Sequence, residues 1–204
     1  MDAEITRITA AAKAHPVDAI VIGASAGGVE ALLKLLSLLP RHFQLPIIAV
    51  LHLPERRESQ LADLFRQRLR IAVSEAADKQ DIKAATLYFA GPDYHLSIEK
   101  NHSFSLSCEA PVNFSRPSID LLMESAADAY GPRLAGILLT GANHDGAAGL
   151  ANIGQQGGLT VVQDPQEAQV STMPEAAILK RPPDLILKLD GICNLILELD
   201  KHSC

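Results

Sequence analysis

A serine, a histidine and an aspartate, each standing just beyond an apolar run of strand character, are the residues of this chain best placed to do chemistry. Ser25 follows Asp18-Ala19-Ile20-Val21-Ile22-Gly23-Ala24 and precedes Ala26-Gly27-Gly28, where a helical pattern begins. His52 closes Ala49-Val50-Leu51-His52, and Asp145 lies in Thr140-Gly141-Ala142-Asn143-His144-Asp145-Gly146. A serine hydroxyl is a weak nucleophile until an imidazole takes its proton, and the imidazolium then needs a carboxylate beside it. In the order Ser…His…Asp the three supply nucleophile, base and orienting group for attack on a carbonyl. Small neighbours leave the Ser25 oxygen uncovered in a tight turn. The helix behind that turn aims free backbone N–H groups at the point where an oxyanion forms. Each residue also has a plainer use: Ser25 as a turn residue, His52 at a strand end, Asp145 as a cap on the helix after it. His144 is a rival base, but adjacent residues face different ways, and it reads as loop surface.

For the three side chains to meet, the first strand must lie beside both the second strand and the 134–139 strand. Ligands of an open parallel sheet bind beyond the carboxyl ends of its strands, where the strand order reverses. The pattern predicts such a sheet. Val17–Ile22, Pro46–Leu51 and Leu134–Leu139 are near-continuous apolar runs, as expected of strands covered on both faces; Leu159–Val162 and Leu185–Leu187 add two more. Helical faces are marked by Val29, Leu32, Leu33 and Leu36, by Leu61, Leu64, Phe65 and Leu69, and by Ile119, Leu122, Met123, Ala126 and Ala127. Leu150 with Ile153, and Ile192, Leu195, Ile196 and Leu199, mark two others. Thr86–Ala90 and His95–Glu99 flank Gly91-Pro92-Asp93-Tyr94 and read as a hairpin, with a further strand near Ser103–Ser107. Thr172-Met173-Pro174-Glu175 fits a capping box with proline in the first turn. Residues 1–16 read as an alanine-rich, frayed lead-in and residues 17–200 as one domain. The class is α/β: a doubly wound, mostly parallel sheet with helices on both faces and a small antiparallel hairpin insertion around residues 84–108.

Composition narrows the functions. A chain of 204 residues, 48% hydrophobic, is long enough for one sizeable core. A formal charge of −6 argues against nucleic acid as a partner. No apolar run approaches the roughly 20 residues needed to span a bilayer, and Met1-Asp2-Ala3-Glu4 lacks the basic start of a secretory signal. Cys108, Cys193 and Cys204 have no metal-ligand spacing and read as reduced thiols of a cytoplasmic protein. Neither a metal nor a cofactor is expected.

From about Asp18 to about Gly191 the chain resembles the catalytic domain of the CheB family, the protein-glutamate methylesterases of bacterial chemotaxis. The resemblance is carried by Ile22-Gly23-Ala24-Ser25-Ala26-Gly27-Gly28, Leu51-His52-Leu53-Pro54 and Leu87-Tyr88-Phe89-Ala90-Gly91-Pro92-Asp93-Tyr94-His95-Leu96. Further matches are Arg116-Pro117-Ser118-Ile119-Asp120, Leu139-Thr140-Gly141 through Asp145-Gly146-Ala147, Val162-Gln163-Asp164-Pro165 and Met173-Pro174. It implies Ser25 as nucleophile, His52 as general base and acid, and Asp145 as the orienting carboxylate. It implies hydrolysis of γ-glutamyl methyl esters on receptor helices with release of methanol, and in some members deamidation of glutamine. Backbone N–H groups near Ala26 and Gly27 and the Ala142-Asn143 loop would hold the oxyanion. His95 matches a family histidine, at the pocket rim or in a structural role. The implied partners are a methylated chemoreceptor or related signalling protein, with a separate methyltransferase or sensor kinase, and contact with membrane only through the receptors.

Two departures stand beside the site: Ala26 where family members in chemotaxis often carry threonine, and Ala142-Asn143 where they carry Met-Gly. Many relatives also begin with a receiver domain, and the short lead-in here is far below the roughly 100 residues of a domain. A stand-alone esterase is therefore expected. A non-catalytic module that binds receptor helices is the alternative. A dinucleotide-binding domain fits worse, because Ser25 occupies the second glycine position of that fingerprint and His52 replaces its acidic residue. Arg56 and Arg57, just after His52, are candidates for holding an acidic receptor helix, or else an ordinary solvated charge cluster.

Overall fold

In the computed structural model, which describes residues 2–52 and 61–202, the apolar runs become strands of one parallel sheet. Along the chain come α1 (Asp2–Ala14), β1 (Ala19–Ala24), α2 (Gly28–Leu36), β2 (Ile47–Leu51), α3 (Leu61–Arg66), β3 (Ala72–Glu75) and β4 (Thr86–Phe89). Then follow β5 (His95–Ile98), β6 (Phe104–Ser107), α4 (Ile119–Tyr130), β7 (Leu134–Leu138) and α5 (Ala147–Gln155). β8 (Leu159–Gln163), α6 (Thr172–Lys180), β9 (Leu185–Leu187) and α7 (Leu189–His202) complete it. The strand order is β3-β4-β2-β1-β7-β8-β9, and each pairing is parallel. The order reverses at β1, with β2 on one side and β7 on the other, which opens a crevice beyond their carboxyl ends.

Strand alternation splits the core in two. Ile20, Ile22 and Ala24 of β1, with Ile47, Ala49 and Leu51 of β2, pack under α1, α2, α3 and α7. Ala19, Val21, Ile48 and Val50 face the other way, toward α4, α5, α6 and the β5–β6 pair. Helices therefore cover both faces, as a doubly wound sheet requires.

Three expectations need correction. Thr86–Phe89 does not pair with His95–Ile98. It is buried along its length, lies parallel between β2 and β3, and sends the chain through Gly91–Tyr94 to a separate hairpin of β5 and β6. Secondly, the lead-in is not frayed. It is helix α1, and Ile8 and Ala12 are buried against the closing helix α7. Finally, α6 is capped at Ser171 rather than Thr172, and by its backbone rather than a side chain: Glu175 N–H donates to the Ser171 carbonyl at 2.9 Å. Pro174 does sit in the first turn.

Candidate active site

Register brings the strand ends together. Ala24 lies opposite Leu51, and Gly23 opposite Leu138, so Ser25 leaves the sheet between His52 and Thr140. The backbone confirms it: His52 N–H donates to the Ala24 carbonyl at 3.1 Å, and Ser25 N–H to the Thr140 carbonyl at 3.0 Å. Neighbouring strands are about 4.8 Å apart, so Ser25 and His52 stand on adjacent rungs. Counting in twos from Val21, Val50 and Leu138 puts Ser25, His52 and Thr140 on the face that carries α4, α5 and α6.

The turn after Ser25 demands glycine. Gly27 adopts φ +80°, and a Cβ there would lie 2.5 Å from Gln169 Oε1. Gly28 N–H closes the turn on the Ser25 carbonyl at 2.8 Å. Among the described residues the amides of Ala26 and Gly27 have no acceptor, and neither have those of Ala142 and Asn143 across the crevice. The Thr140 hydroxyl donates to the Ala26 carbonyl at 2.9 Å and so ties the serine turn to the loop that carries Asp145.

Asp145 is completely buried. It caps a helix, but not the one it precedes: α5 begins at Gly146 without a side-chain cap. Its carboxylate reaches instead to the start of α4, accepting from Ile119 N–H at 2.7 Å, Asp120 N–H at 3.1 Å and the Ser118 hydroxyl at 2.9 Å. Asn113 Nδ2 adds a donor at 3.2 Å. Burial works to raise this carboxyl, but the His52 contact, the two N–H groups and the Ser118 hydroxyl prevail and hold it below the ordinary carboxylate value.

His52 Nε2 lies 3.0 Å from Asp145 Oδ2. The distance is that of a hydrogen bond, yet the N–H is bent off the line to the oxygen, so Nε2 makes no well-formed bond. A small rotation of the ring aligns the pair, as happens when such bonds tighten around a substrate. A nitrogen beside a carboxylate carries the proton, which leaves Nδ1 as the acceptor. Asn143 Nδ2 is 3.3 Å from Nδ1. Its orientation is set by its own oxygen, which accepts Asp145 N–H at 3.2 Å.

The other expected residues divide. His144 is exposed loop surface. His95 is buried, and both ring nitrogens are engaged: its Nδ1 accepts Ser118 N–H at 3.2 Å and its Nε2 lies 3.1 Å from the Ala110 carbonyl. It supports the residue that supports Asp145. Arg56 and Arg57 lie outside the described residues. Sequence reasoning gave no role to Ser118, Asn113 or Asp120. Ser118 and Asp120 sat in a motif already noted, and a serine two residues before an aspartate at a helix start was the available signal. Asp120 is buried beside Asp145; burial foremost, with the Asp145 charge, pushes its carboxyl up against the pull of the Gly149 N–H and the Asn113 amide.

Among the described residues no cluster of three His, Cys, Asp or Glu is placed to hold a metal ion, and no helix is long and apolar enough to cross a membrane. A cleft of about 540 Å³ between α1, α7 and the loop before β2, lined by Ile5, His42 and Lys201 among others, lies at the opposite end of the strands.

Ser25 and His52 thus lie beyond the carboxyl ends of a parallel, doubly wound sheet, with His52 facing a buried carboxylate. Residues 20–196 match the family model described as CheB methylesterase, and the chain belongs to that family. It is 45% identical over 186 residues to a Leptospira interrogans protein assigned as a protein-glutamate methylesterase/protein-glutamine glutaminase, covering 91% of this chain and 96% of that protein. A Clostridium acetobutylicum protein named for the same two activities is 30% identical over 195 residues, and there the chain spans 56% of its relative. The crystal structure of the Thermotoga maritima CheB methylesterase catalytic domain superposes with a TM-score of 0.85 at 29% identity, covering 90% of this chain and 98% of that one.

Proposed function

We propose that this protein is a serine hydrolase that removes methyl esters from glutamate side chains of chemoreceptor-type signalling proteins, with Ser25, His52 and Asp145 as its relay. The observation that carries the reading is His52 standing 3.0 Å from a buried, multiply bonded Asp145 on the rung next to Ser25. Ser25 Oγ attacks the ester carbonyl while His52 Nδ1 takes its proton. The oxyanion is held by backbone N–H groups from Ala26, Gly27, Ala142 and Asn143; each such donor is worth about 3 kcal/mol of transition-state stabilisation. His52 then returns the proton to the departing methoxide, and methanol leaves. Water, activated by the same imidazole, attacks the acyl-serine and releases glutamate and free Ser25.

A primary amide presents the same carbonyl with ammonia as leaving group, so glutamine deamidation fits the same machinery. The substrate is a methylated receptor or related signalling protein, met in the cytoplasm. A fluorophosphonate probe tests the relay: wild-type protein becomes labelled at Ser25, and Ser25→Ala and His52→Ala do not. Labelling of Ser25→Ala at the wild-type rate contradicts the assignment.

A further inference from the structure

The segment between the β5–β6 hairpin and α4 is tied down almost everywhere except at one aromatic residue. At its start, Arg116 Nη1 donates to the carbonyls of Cys108 and Glu109 at 3.1 and 3.0 Å, and His95 Nε2 meets the Ala110 carbonyl. At its end, Ser118 is held by Asp145 and His95. Between them Val112 and Ser115 exchange backbone hydrogen bonds, 3.1 Å one way and 2.8 Å the other, and close a two-residue turn. Both central residues are left-handed, Asn113 with φ 50° and Phe114 with φ 61°. That is the pattern of a type I′ turn, in which glycine commonly takes the second central place.

Asn113 suits its position, since a short amide tolerates left-handed backbone, and its Nδ2 reaches Asp120 Oδ2 at 2.9 Å as well as Asp145. Phe114 does not suit its own. A bulky residue in this conformation is strained, and the ring recovers nothing from the fold because it is fully exposed. Its two neighbours nonetheless both face the site. Asn113 bonds Asp145, and Ser115 Oγ lies 3.5 Å from Asn143 Nδ2, the amide that also approaches His52. The turn therefore holds an exposed apolar ring between two residues that contact Asp145 and Asn143.

We propose that Phe114 is a substrate-docking residue. It packs on apolar side chains of the protein substrate next to the modified glutamate, and so favours esters carried on a protein surface over small esters. The proposal rests on the methylesterase reading above.

The test compares wild type, Phe114→Gly and Phe114→Leu in three measurements: kcat/KM for methanol release from methylated receptor membranes, the rate of fluorophosphonate labelling at Ser25, and Tm. Burying most of a phenyl ring supports roughly a tenfold effect on kcat/KM. Phe114→Gly is expected to lose about that factor on receptor substrate while labelling stays at the wild-type rate and Tm does not fall. Phe114→Leu keeps most of the receptor activity. Unchanged receptor turnover by Phe114→Gly overturns the proposal alone. So does an equal loss in both assays, or a drop in Tm, because either makes Phe114 a structural residue. Wild-type protein that is labelled at Ser25 but inert toward the receptors overturns the methylesterase reading, and this proposal with it.

Discussion

Asp145 and Asp120 exchange helix caps. Asp145, just before α5, takes the first N–H groups of α4, while Asp120 in the first turn of α4 accepts Gly149 N–H from the first turn of α5 at 2.7 Å. Each carboxylate satisfies donors its neighbour's helix leaves open, and each meets the favourable end of a helix dipole. The exchange locks α4 to α5 and fixes the oxygen that faces His52. Asp120→Ala leaves a buried N–H without an acceptor, a loss of about 1–3 kcal/mol. For a chain of this size Tm falls roughly 2–4 °C per kcal/mol. Asp120→Asn, which keeps an acceptor oxygen, recovers most of the loss. Equal melting of wild type and the alanine variant rules out the exchange as a stabilising device.

The Asp145 carboxyl gives stability a pH dependence. Its folded pKa lies below its ordinary value of 3.8. The contribution is therefore complete above the unfolded value and is lost as pH falls through the folded one. The stability gap between wild type and Asp145→Asn should be widest near neutral pH and should narrow below about pH 4. Urea midpoints from pH 7 down to pH 3 measure it. A gap that widens in acid means the carboxyl is not held as a charge by these donors.

Ser118 both caps α4 and donates to Asp145. Its loss to alanine should cost about 1 kcal/mol as a cap. Because the carboxylate is then less firmly held, kcat should drop while KM stays put. Ser118→Thr keeps the hydroxyl and should restore kcat. A change confined to KM would place Ser118 in substrate binding instead.

Asn143 stands where the resemblance to chemotaxis esterases leads one to expect glycine, and its amide lies 3.3 Å from His52 Nδ1, the nitrogen proposed to take the Ser25 proton. Asn143→Gly frees that nitrogen. With one hydrogen bond worth about 1 kcal/mol net, fluorophosphonate labelling of Ser25 should speed up about fivefold. Slower labelling would mean that the amide aids attack rather than competing with it.

The parts legible in the sequence are those that local pattern controls. Ser25 and His52 follow apolar runs long enough to be read as strands, and the reversal of strand order at β1 brings their ends together. The helix α1 was obscure because its buried residues, Ile8 and Ala12, find their partners on α7 at the other end of the chain. Gly91-Pro92 looks like a hairpin turn, and nothing local says that Thr86–Phe89 takes β2 and β3 as its neighbours. β3 itself, Ala72–Glu75, is a short edge strand with its first and last residues exposed, and it lacks the apolar run that marks the others. The support of Asp145 was hidden for the same reason. Its donors come from α4, and the cap expected on α5 is made on α4 instead.

Hydrolysis of glutamyl methyl esters is proposed to depend on Ser25, activated by His52 and Asp145. Methanol release from methylated receptor membranes, measured for wild type and Ser25→Ala side by side, tests it most directly. Wild type should release methanol, and Ser25→Ala none above background. Equal release by the two, or none from folded wild type on a verified methylated substrate, would contradict it.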